Sequence, residues 1–572
     1  MPASNTDIAA IFGEMADLLA LEGANTFRVR AYRNAAAAVE TYPRPVADLL
    51  AEGQDLADLE SIGEELARKI EEIVRTGRLK QLEALRARTP AGVTQMLKVP
   101  GLGPKRVQKI YAALKVEGLA ELKQAAQAGK IRALEGFGPR MEAKILEGLA
   151  RLDGTQGRIL LHAADEIAKR LLALLETLPG VAHVAVAGSY RRCEETVGDL
   201  DILVSGENGK EILARFAEFE DVRDVVSQGE TRATFLLRRG LQVDLRVIAE
   251  ESYGAALLYF TGSKAHNIHL RRLATERGLK INEYGVFRQD ARLAGRTEAE
   301  VYGEFGMPFI EPELRQDRGE IEAALGHRLP SLVTQKDLRG DLQMHTQASD
   351  GRASLEAMAR AAQQMGYAYI AVTDHSDTLP VVNGLNTEAL ARQIEAIDRL
   401  NETLSGLVVL KAVEVDIRRD GSLALPDGIL KRLDLTVCSI HTAFDLSRQA
   451  QTERILRAMD NPSFNILAHP TGRRLGKRAA YDLDLERVMQ AALARGCFLE
   501  INANPERLDL NGIHAKMARE MGLKLAISTD AHRPSDLAFM RYGVAQARRG
   551  WLSPADVLNA RPLDELRALL KR

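Results

Sequence analysis

The run Gly188-Ser189-Tyr190-Arg191-Arg192 is followed by Gly198-Asp199-Leu200-Asp201, a donor-rich turn and then two carboxylates spaced for one face of a strand. Successive strand side chains point to opposite faces, so Asp199 and Asp201 project together while Leu200, Ile202 and Val204 face a core. The run Leu241 to Val247 alternates likewise, with Gln242, Asp244 and Arg246 on one face. Three carboxylates on one sheet face repel one another unless a cation joins them, and hard oxygen ligands suit Mg²⁺. Two such ions can activate an attacking hydroxyl and stabilise the leaving oxygens of an in-line displacement at phosphorus. The turn offers backbone N–H groups and the Ser189 hydroxyl to a triphosphate, and Arg192 adds a fork for its oxygens. Either fragment alone reads as a solvated strand edge or an ordinary turn; their order and the third aspartate favour the metal site.

A second group of residues gathers in the C-terminal part. From Asp341 onward, strand-like and helix-like segments alternate about seven times, and apolar runs end in polar residues at His345, His375, Glu414, His441, His469, Asp530 and His532. Amphipathic helices, for example over 355–365 and 388–404, separate them. Successive βα units predict a parallel barrel whose strand C-termini meet at one mouth. Five of the eleven histidines then converge there with Glu414, Asp530 and Asp350. One strand-end histidine is more often structural, but five mixed with carboxylates suit Mn²⁺, Zn²⁺ or Fe²⁺.

The elements that carry these groups are preceded by a helical region. Residues 1–90 show helical spacing, with turn signals at Thr41-Tyr42-Pro43 and Gly53. Residues 91–150 hold two related units, Val99-Pro100-Gly101-Leu102-Gly103-Pro104-Lys105 and Leu134-Glu135-Gly136-Phe137-Gly138-Pro139-Arg140, and a weaker copy at Ser61-Ile62-Gly63-Glu64. Between residues 98 and 140, nine Lys or Arg side chains stand against three acids, a patch that can track phosphates although the whole chain carries only −2. The 572 residues suffice for several domains, and three scattered cysteines exclude a disulfide framework or a Cys-based zinc site. No signal-like N-terminus and no apolar run of membrane-spanning length occurs, so a cytoplasmic protein working as a monomer without membrane contact is expected.

The palm-like block, continued by Tyr259-Phe260-Thr261-Gly262-Ser263 and Ile281-Asn282-Glu283-Tyr284, resembles X-family DNA polymerases, the polymerase beta group. The glycine units resemble helix-hairpin-helix motifs, which bind DNA backbones through Gly101, Gly103, Lys105, Gly136, Gly138 and Arg140. The C-terminal pattern resembles the PHP (polymerase and histidinol phosphatase) domain, a distorted seven-stranded barrel that hydrolyses phosphoesters. The fold class expected is therefore multidomain α/β and α. It comprises a helical DNA-binding, lyase-like domain (1–90), helix-hairpin-helix fingers (91–150), a nucleotidyltransferase palm (151–250), a thumb-like unit (251–315), a linker (316–337) holding a helix over 319–325, and a PHP domain (338–572).

The resemblance implies gap filling in DNA repair on gapped or primer-template DNA with deoxynucleoside triphosphates. Asp199, Asp201 and Asp244 are then catalytic ligands of Mg²⁺, and Arg158, Gly188, Ser189, Arg192, Gly198, Tyr259, Phe260, Gly262, Asn267 and Arg271 bind the nucleotide. His345, Asp350, His375, Glu414, His441, His469, Asp530 and His532 hold Mn²⁺ or Zn²⁺ for a 3′→5′ exonuclease or 3′-end phosphoesterase. One departure stands at Gln343, where the family often carries the first histidine of His-x-His. Lys69 matches the family's Schiff-base lysine of a deoxyribose-phosphate lyase, and Tyr32 and Arg33 also match. Glu65 and Glu72 on the same helix favour its protonated form, however, and Glu65 and Phe27 stand where eukaryotic members carry a lysine and a histidine. An ordinary surface lysine is the larger expectation. Two rival readings are a nucleotidyltransferase outside DNA synthesis, which has no use for paired helix-hairpin-helix units, and a DNA-end scaffold with an inactive barrel.

Overall fold

The computed structural model describes all residues except 1–4, 41–45, 60, 87, 89–90, 100–101, 153–157, 378–382 and 572. The chain divides into two compact units, Met1–Gly157 and Arg158–Arg572. Among the described residues no helix is long and apolar enough to cross a membrane.

The first unit is helical. Helices Asn5–Leu21, Thr26–Glu40, Glu64–Thr76, Pro104–Leu114 and Pro139–Leu152 surround a core that includes Phe12, Tyr32, Ile70, Ile110 and Leu122. The turn signal at Thr41 to Pro43 lies outside the described residues, whereas Gly53 adopts φ 75°. The glycine units fold alike: Leu102 N–H donates to the Val99 carbonyl at 3.0 Å, and Phe137 N–H to the Leu134 carbonyl at 2.9 Å. Leu102 and Phe137 are buried, and each following glycine, Gly103 or Gly138, leads straight into a helix that opens with proline. Proline suits a first helical position because its absent N–H would have no intrahelical partner there. The third copy repeats the turn, Ile62 N–H to the Leu59 carbonyl at 3.1 Å.

In the second unit, helix Leu161–Glu176 lies on a five-stranded sheet. Its strands run in the order Val181–Val186, Asp199–Gly206, Gln242–Ile248, Arg232–Leu237 and Val222–Gln228. Leu200, Ile202, Val204, Val243 and Leu245 are buried as the alternation requires. Next come helices Tyr253–Thr261 and Lys264–Glu276 and a three-stranded antiparallel sheet over 280–294. The segment 316–337 is a packed part of this unit rather than a free linker. Its helix Glu320–Leu325 buries Ile321 and Ala324 against Leu270, Val286 and Tyr302. Its charges are paired: Glu320 Oε1 lies 2.7 Å from His266 Nδ1, and the neighbouring Arg315 Nη1 lies 2.6 Å from Glu298 Oε1.

The C-terminal part is a seven-stranded parallel sheet with strands in sequence order, from Gly340–Met344 to Leu525–Ser528. A parallel bridge from Met344 to Ala531 brings its edges together. Inside lies an apolar plug of Leu342, Ala371, Ala412, Val437, Ile466 and Ala526, joined by Leu566 and Leu570 of the last helix. Residues of the opposite parity, such as Ile370, Val413, Cys438 and Ile527, pack under the surrounding helices. The interior positions change character along each strand: Ala412 gives way to Glu414 and Asp416, Val437 to Ser439 and His441, and Ala526 to Ser528 and Asp530. Polar groups therefore accumulate at the C-terminal rim.

Candidate active sites

The palm site grows from two adjacent parallel strands. Asp201 stands opposite Asp244 and Asp199 opposite Gln242. The Asp244 carboxylate accepts from Thr234 Oγ1 at 2.5 Å and Gln242 Nε2 at 2.8 Å, which fixes its orientation. Burial, followed by the charges of Asp199 and Asp244, pushes the Asp201 carboxyl up to about 7. The charges of Arg246 and Arg192 oppose this rise without cancelling it, and a divalent cation would relieve the crowding.

Gly188 opens a short helix, Gly188–Arg191, beside these carboxylates. Its φ of 63° favours glycine, and a Cβ there would collide with the Asp201 carboxylate. Arg158 donates to the Thr196 hydroxyl at 2.9 Å and to the Thr196 carbonyl at 2.5 Å, and it covers Gly198. Arg192 donates to the Thr261 carbonyl beside Gly262. Tyr259 and Phe260 meet edge-to-face with centroids 5.1 Å apart. Arg271 lies 5.2 Å over Tyr259, and Arg246 lies 4.4 Å over Phe260. Asn267 Nδ2 donates to the Tyr259 carbonyl at 2.7 Å. Arg246 and Arg192 thus bring positive charge to the carboxylates, and Arg246 also joins them to the aromatic pair through Phe260.

At the barrel rim, a cleft of about 270 Å³ is lined by Asp350, His375, Glu414, His441, His469 and Asp530, among others. Glu414 is the hub. Its Oε1 lies 3.2 Å from His469 Nε2 and 3.4 Å from His441 Nε2, and its Oε2 lies 3.3 Å from His375 Nδ1 and 3.4 Å from His345 Nε2. Asp350 Oδ2 lies 3.3 Å from His532 Nε2 and 3.6 Å from His375 Nε2. Asp530 Oδ1 lies 3.1 Å from His345 Nε2. Three overlapping groups offer ligand atoms within 4.8 Å of one another: His345, Asp350, His375 and His532; His375, Glu414 and His441; and His345, Glu414 and Asp530. Burial alone would raise the Asp350 carboxyl, but the His532 hydrogen bond and three imidazoles hold it at about 2. Asp530 has φ 54° and His469 φ 27°, left-handed conformations that a non-glycine residue adopts at a cost of about 1–3 kcal/mol and that cluster at functional sites.

Known proteins match both halves. Family models for the DNA polymerase beta palm and thumb match residues 158–258 and 256–316, and the PHP domain matches 341–504. A helix-hairpin-helix domain matches 3–79, and a tandem helix-hairpin-helix model matches 53–117 and 93–151. The DNA polymerase/3′-5′ exonuclease PolX of Bacillus subtilis (strain 168) is 38% identical over 570 residues, 99% of each chain. The chain belongs to the X-family DNA polymerases with a C-terminal PHP domain. Shorter relatives match its parts. A probable phosphatase of Thermoanaerobacter sp. (strain X514) is 32% identical over 38% of this chain and 89% of its own. DNA polymerase lambda of Arabidopsis thaliana is 26% identical over 55% of this chain and 62% of its own.

In this X-family chain the barrel brings together all eight side chains expected at its rim, including Asp530 and His532 beyond the matched PHP segment. Others went unread in the sequence. Asp416 Oδ1 lies 2.8 Å from His441 Nδ1 and orients that imidazole. Strand alternation places Asp416 on the face of Glu414, so the signal was present. Arg507 reaches Asp530 Oδ2 at 3.5 Å, and its Nη1 is buried with no hydrogen-bond partner among the described residues. Asn502 Nδ2 donates to the same carboxylate oxygen at 3.2 Å. Gln343 is fully buried, and neither of its amide atoms has a hydrogen-bond partner among the described residues. Its carbonyl accepts from Asp530 N–H at 3.1 Å, so residue 343 adjoins a rim ligand through the backbone.

In the helical unit, Lys105 and Arg140 are exposed beside Gly103 and Gly138, whereas Gly101 lies outside the described residues. Gly136 takes φ 83°. Lys69 is not an ordinary surface lysine: its side chain is 13% exposed, with Nζ held by Tyr32 Oη and Glu65. The Lys69 hydrogen bond, followed by its charge, holds the Glu65 carboxyl below its ordinary value. Arg33 pairs with Asp17 at 3.0 Å, and Phe27 is 76% exposed.

Proposed function

We propose that the chain fills short gaps in DNA from Mg²⁺ and deoxynucleoside triphosphates at the palm, and trims 3′ ends at the barrel with Mn²⁺ or Zn²⁺. The observation that carries the first half is the register of Asp201 with Asp244 beside the Gly188 turn. Asp199, Asp201 and Asp244 hold the palm cations; N–H groups of 188–191, the Ser189 hydroxyl and Arg192 bind phosphate; Tyr259, Phe260, Asn267 and Arg271 flank the nucleotide, with Arg158 supporting the loop at Gly198. When bound, the cations supply charge neutralisation at phosphorus and activation of the attacking oxygen. At the barrel, the eight rim ligands hold the metals, Asp416 orients His441, and Arg507, which lines the cleft, offers its charge to a phosphodiester. We read the chain as a cytoplasmic monomer. A gapped-DNA assay with Mg²⁺ or Mn²⁺, with and without deoxynucleotides, should show templated extension and, without nucleotides, 3′-end loss. Untemplated addition would favour the other nucleotidyltransferase reading, and a barrel that binds no metal would favour the scaffold.

Two further outcomes are expected. The helix-hairpin-helix turns contact phosphates rather than bases, so Lys105→Ala with Arg140→Ala should weaken binding equally for all sequences and reduce the slope of log affinity against log salt by about 2. Salt titrations on two unrelated duplexes check this, and a sequence-selective loss counts against it. Gln343→His should raise nuclease activity most visibly at low Mn²⁺, since imidazole binds first-row ions better than an amide oxygen and the buried amide has no hydrogen bond to lose. Titrating Mn²⁺ against exonuclease rate for both forms checks it; an unchanged curve places residue 343 outside the metal's reach.

A further inference from the structure

The nucleotide loop of the palm is held from behind by the barrel. Helix Met540–Arg549 runs beneath it. Arg549 Nη1 donates to the Arg192 carbonyl at 2.7 Å, and its Nη2 lies 2.9 Å from Glu194 Oε2. Three residues earlier, Gln546 Nε2 donates to the Cys193 carbonyl at 3.2 Å. The other Glu194 oxygen accepts from Gln316 Nε2 at 2.9 Å and lies 3.8 Å from Arg192 Nη2. These are desolvated charges, with Arg549 and Arg192 only 10% and 15% exposed. Burial alone would raise the Glu194 carboxyl, but Arg549 and Arg192 outweigh it and hold the group below its ordinary value.

The barrel contacts act on the backbone where this short helix ends. Cys193 adopts φ 53° as the residue that closes helix Gly188–Arg191, its N–H donating to the Tyr190 carbonyl at 2.9 Å and the Glu194 N–H to the Ser189 carbonyl at 3.0 Å. The barrel pins the carbonyl before it through Arg549 and its own carbonyl through Gln546. A second barrel residue reaches the end of the same loop, Arg473 Nη2 lying 2.7 Å from Glu195 Oε1, whereas Arg541 pairs with Asp165 on helix Leu161–Glu176.

We propose that Arg549, assisted by Gln546, is a positioning residue for nucleotide addition: the barrel fixes the loop that presents Arg192 to the incoming triphosphate. This rests on the reading of Arg192 as a phosphate-binding residue. Steady-state gap filling by the full chain tests it, with nucleotide KM and kcat read separately. Arg549→Ala should raise KM about tenfold with kcat changed less than about twofold, while 3′-end degradation of single-stranded DNA stays at the native rate. Arg549→Lys, which can make one contact of the two, should fall between. Arg541→Ala should leave KM unchanged although it removes a palm–barrel ion pair. Where Arg549→Ala fails to fold, Arg549→Lys and Gln546→Ala carry the test through their own KM increases. A native KM in Arg549→Ala together with a raised KM in Arg192→Ala overturns the proposal and leaves the nucleotide site standing. A native KM in Arg192→Ala overturns both. Equal increases in Arg549→Ala and Arg541→Ala show general loosening of the domains, and the proposal fails.

Discussion

Replacing Asp199 and Asp201 with alanine should abolish primer extension while 3′-end degradation continues at the native rate. The two side chains share the polar face of one strand, and Asp201 faces Asp244 across the ladder. Removing two of three cation ligands should cost at least about 4 kcal/mol of transition-state stabilisation, roughly a thousandfold in rate. The fold should not suffer, because Leu200, Ile202 and Val204 fill the core from the opposite face. The crowding that raises the Asp201 carboxyl also disappears, so thermal stability without metal should hold or rise. Gapped-DNA extension, nuclease assays and thermal unfolding on the double variant check all three points. Loss of both activities with the fold intact would contradict two separate sites.

The reciprocal expectation concerns the barrel. His345→Ala, His441→Ala and Asp530→Ala should each lower nuclease activity at least about a hundredfold and leave gap filling near native. His345 reaches both Asp530 and Glu414, so its loss opens two of the three ligand groups. His441 leaves Asp416 without its imidazole, and Asp530 leaves Arg507 and Asn502 facing an emptied position. An unchanged exonuclease rate in all three variants would mean that the nuclease lies elsewhere.

The palm was legible because a period of two is short. Seven residues around Asp244 suffice to assign faces, and the same alternation predicted Leu200 and Val243 in the core. The barrel rim was legible for a similar reason, since interior positions turn from apolar to polar near each strand end. Arg507 was not, because it lies on a loop past its strand, where Arg473 holds its carbonyl at 3.0 Å and Leu508 takes φ 44°. No periodicity encodes such a placement. The segment 316–337 misled for an electrostatic reason. Its charges suggested solvent, yet Glu320 is fully buried against His266, as the adjoining Arg315 is against Glu298. Composition counts charges and does not reveal whether they are paired. Arg549 reads locally as a basic residue near a helix C-terminus, favourable for the macrodipole and otherwise ordinary. Its partner stands 357 residues away.

That separation has a consequence for the order in which the protein becomes competent. The ribosome releases the palm long before helix Met540–Arg549, and at about 5–20 residues per second the gap amounts to roughly 20–70 s. Throughout that interval the loop at Cys193 lacks its contact with Arg549. If Arg549 positions this loop as proposed, a newly made palm captures nucleotides well only after the trimming domain has been synthesised and has docked, so translation delivers the capacity to add residues to a DNA end no earlier than the capacity to remove them.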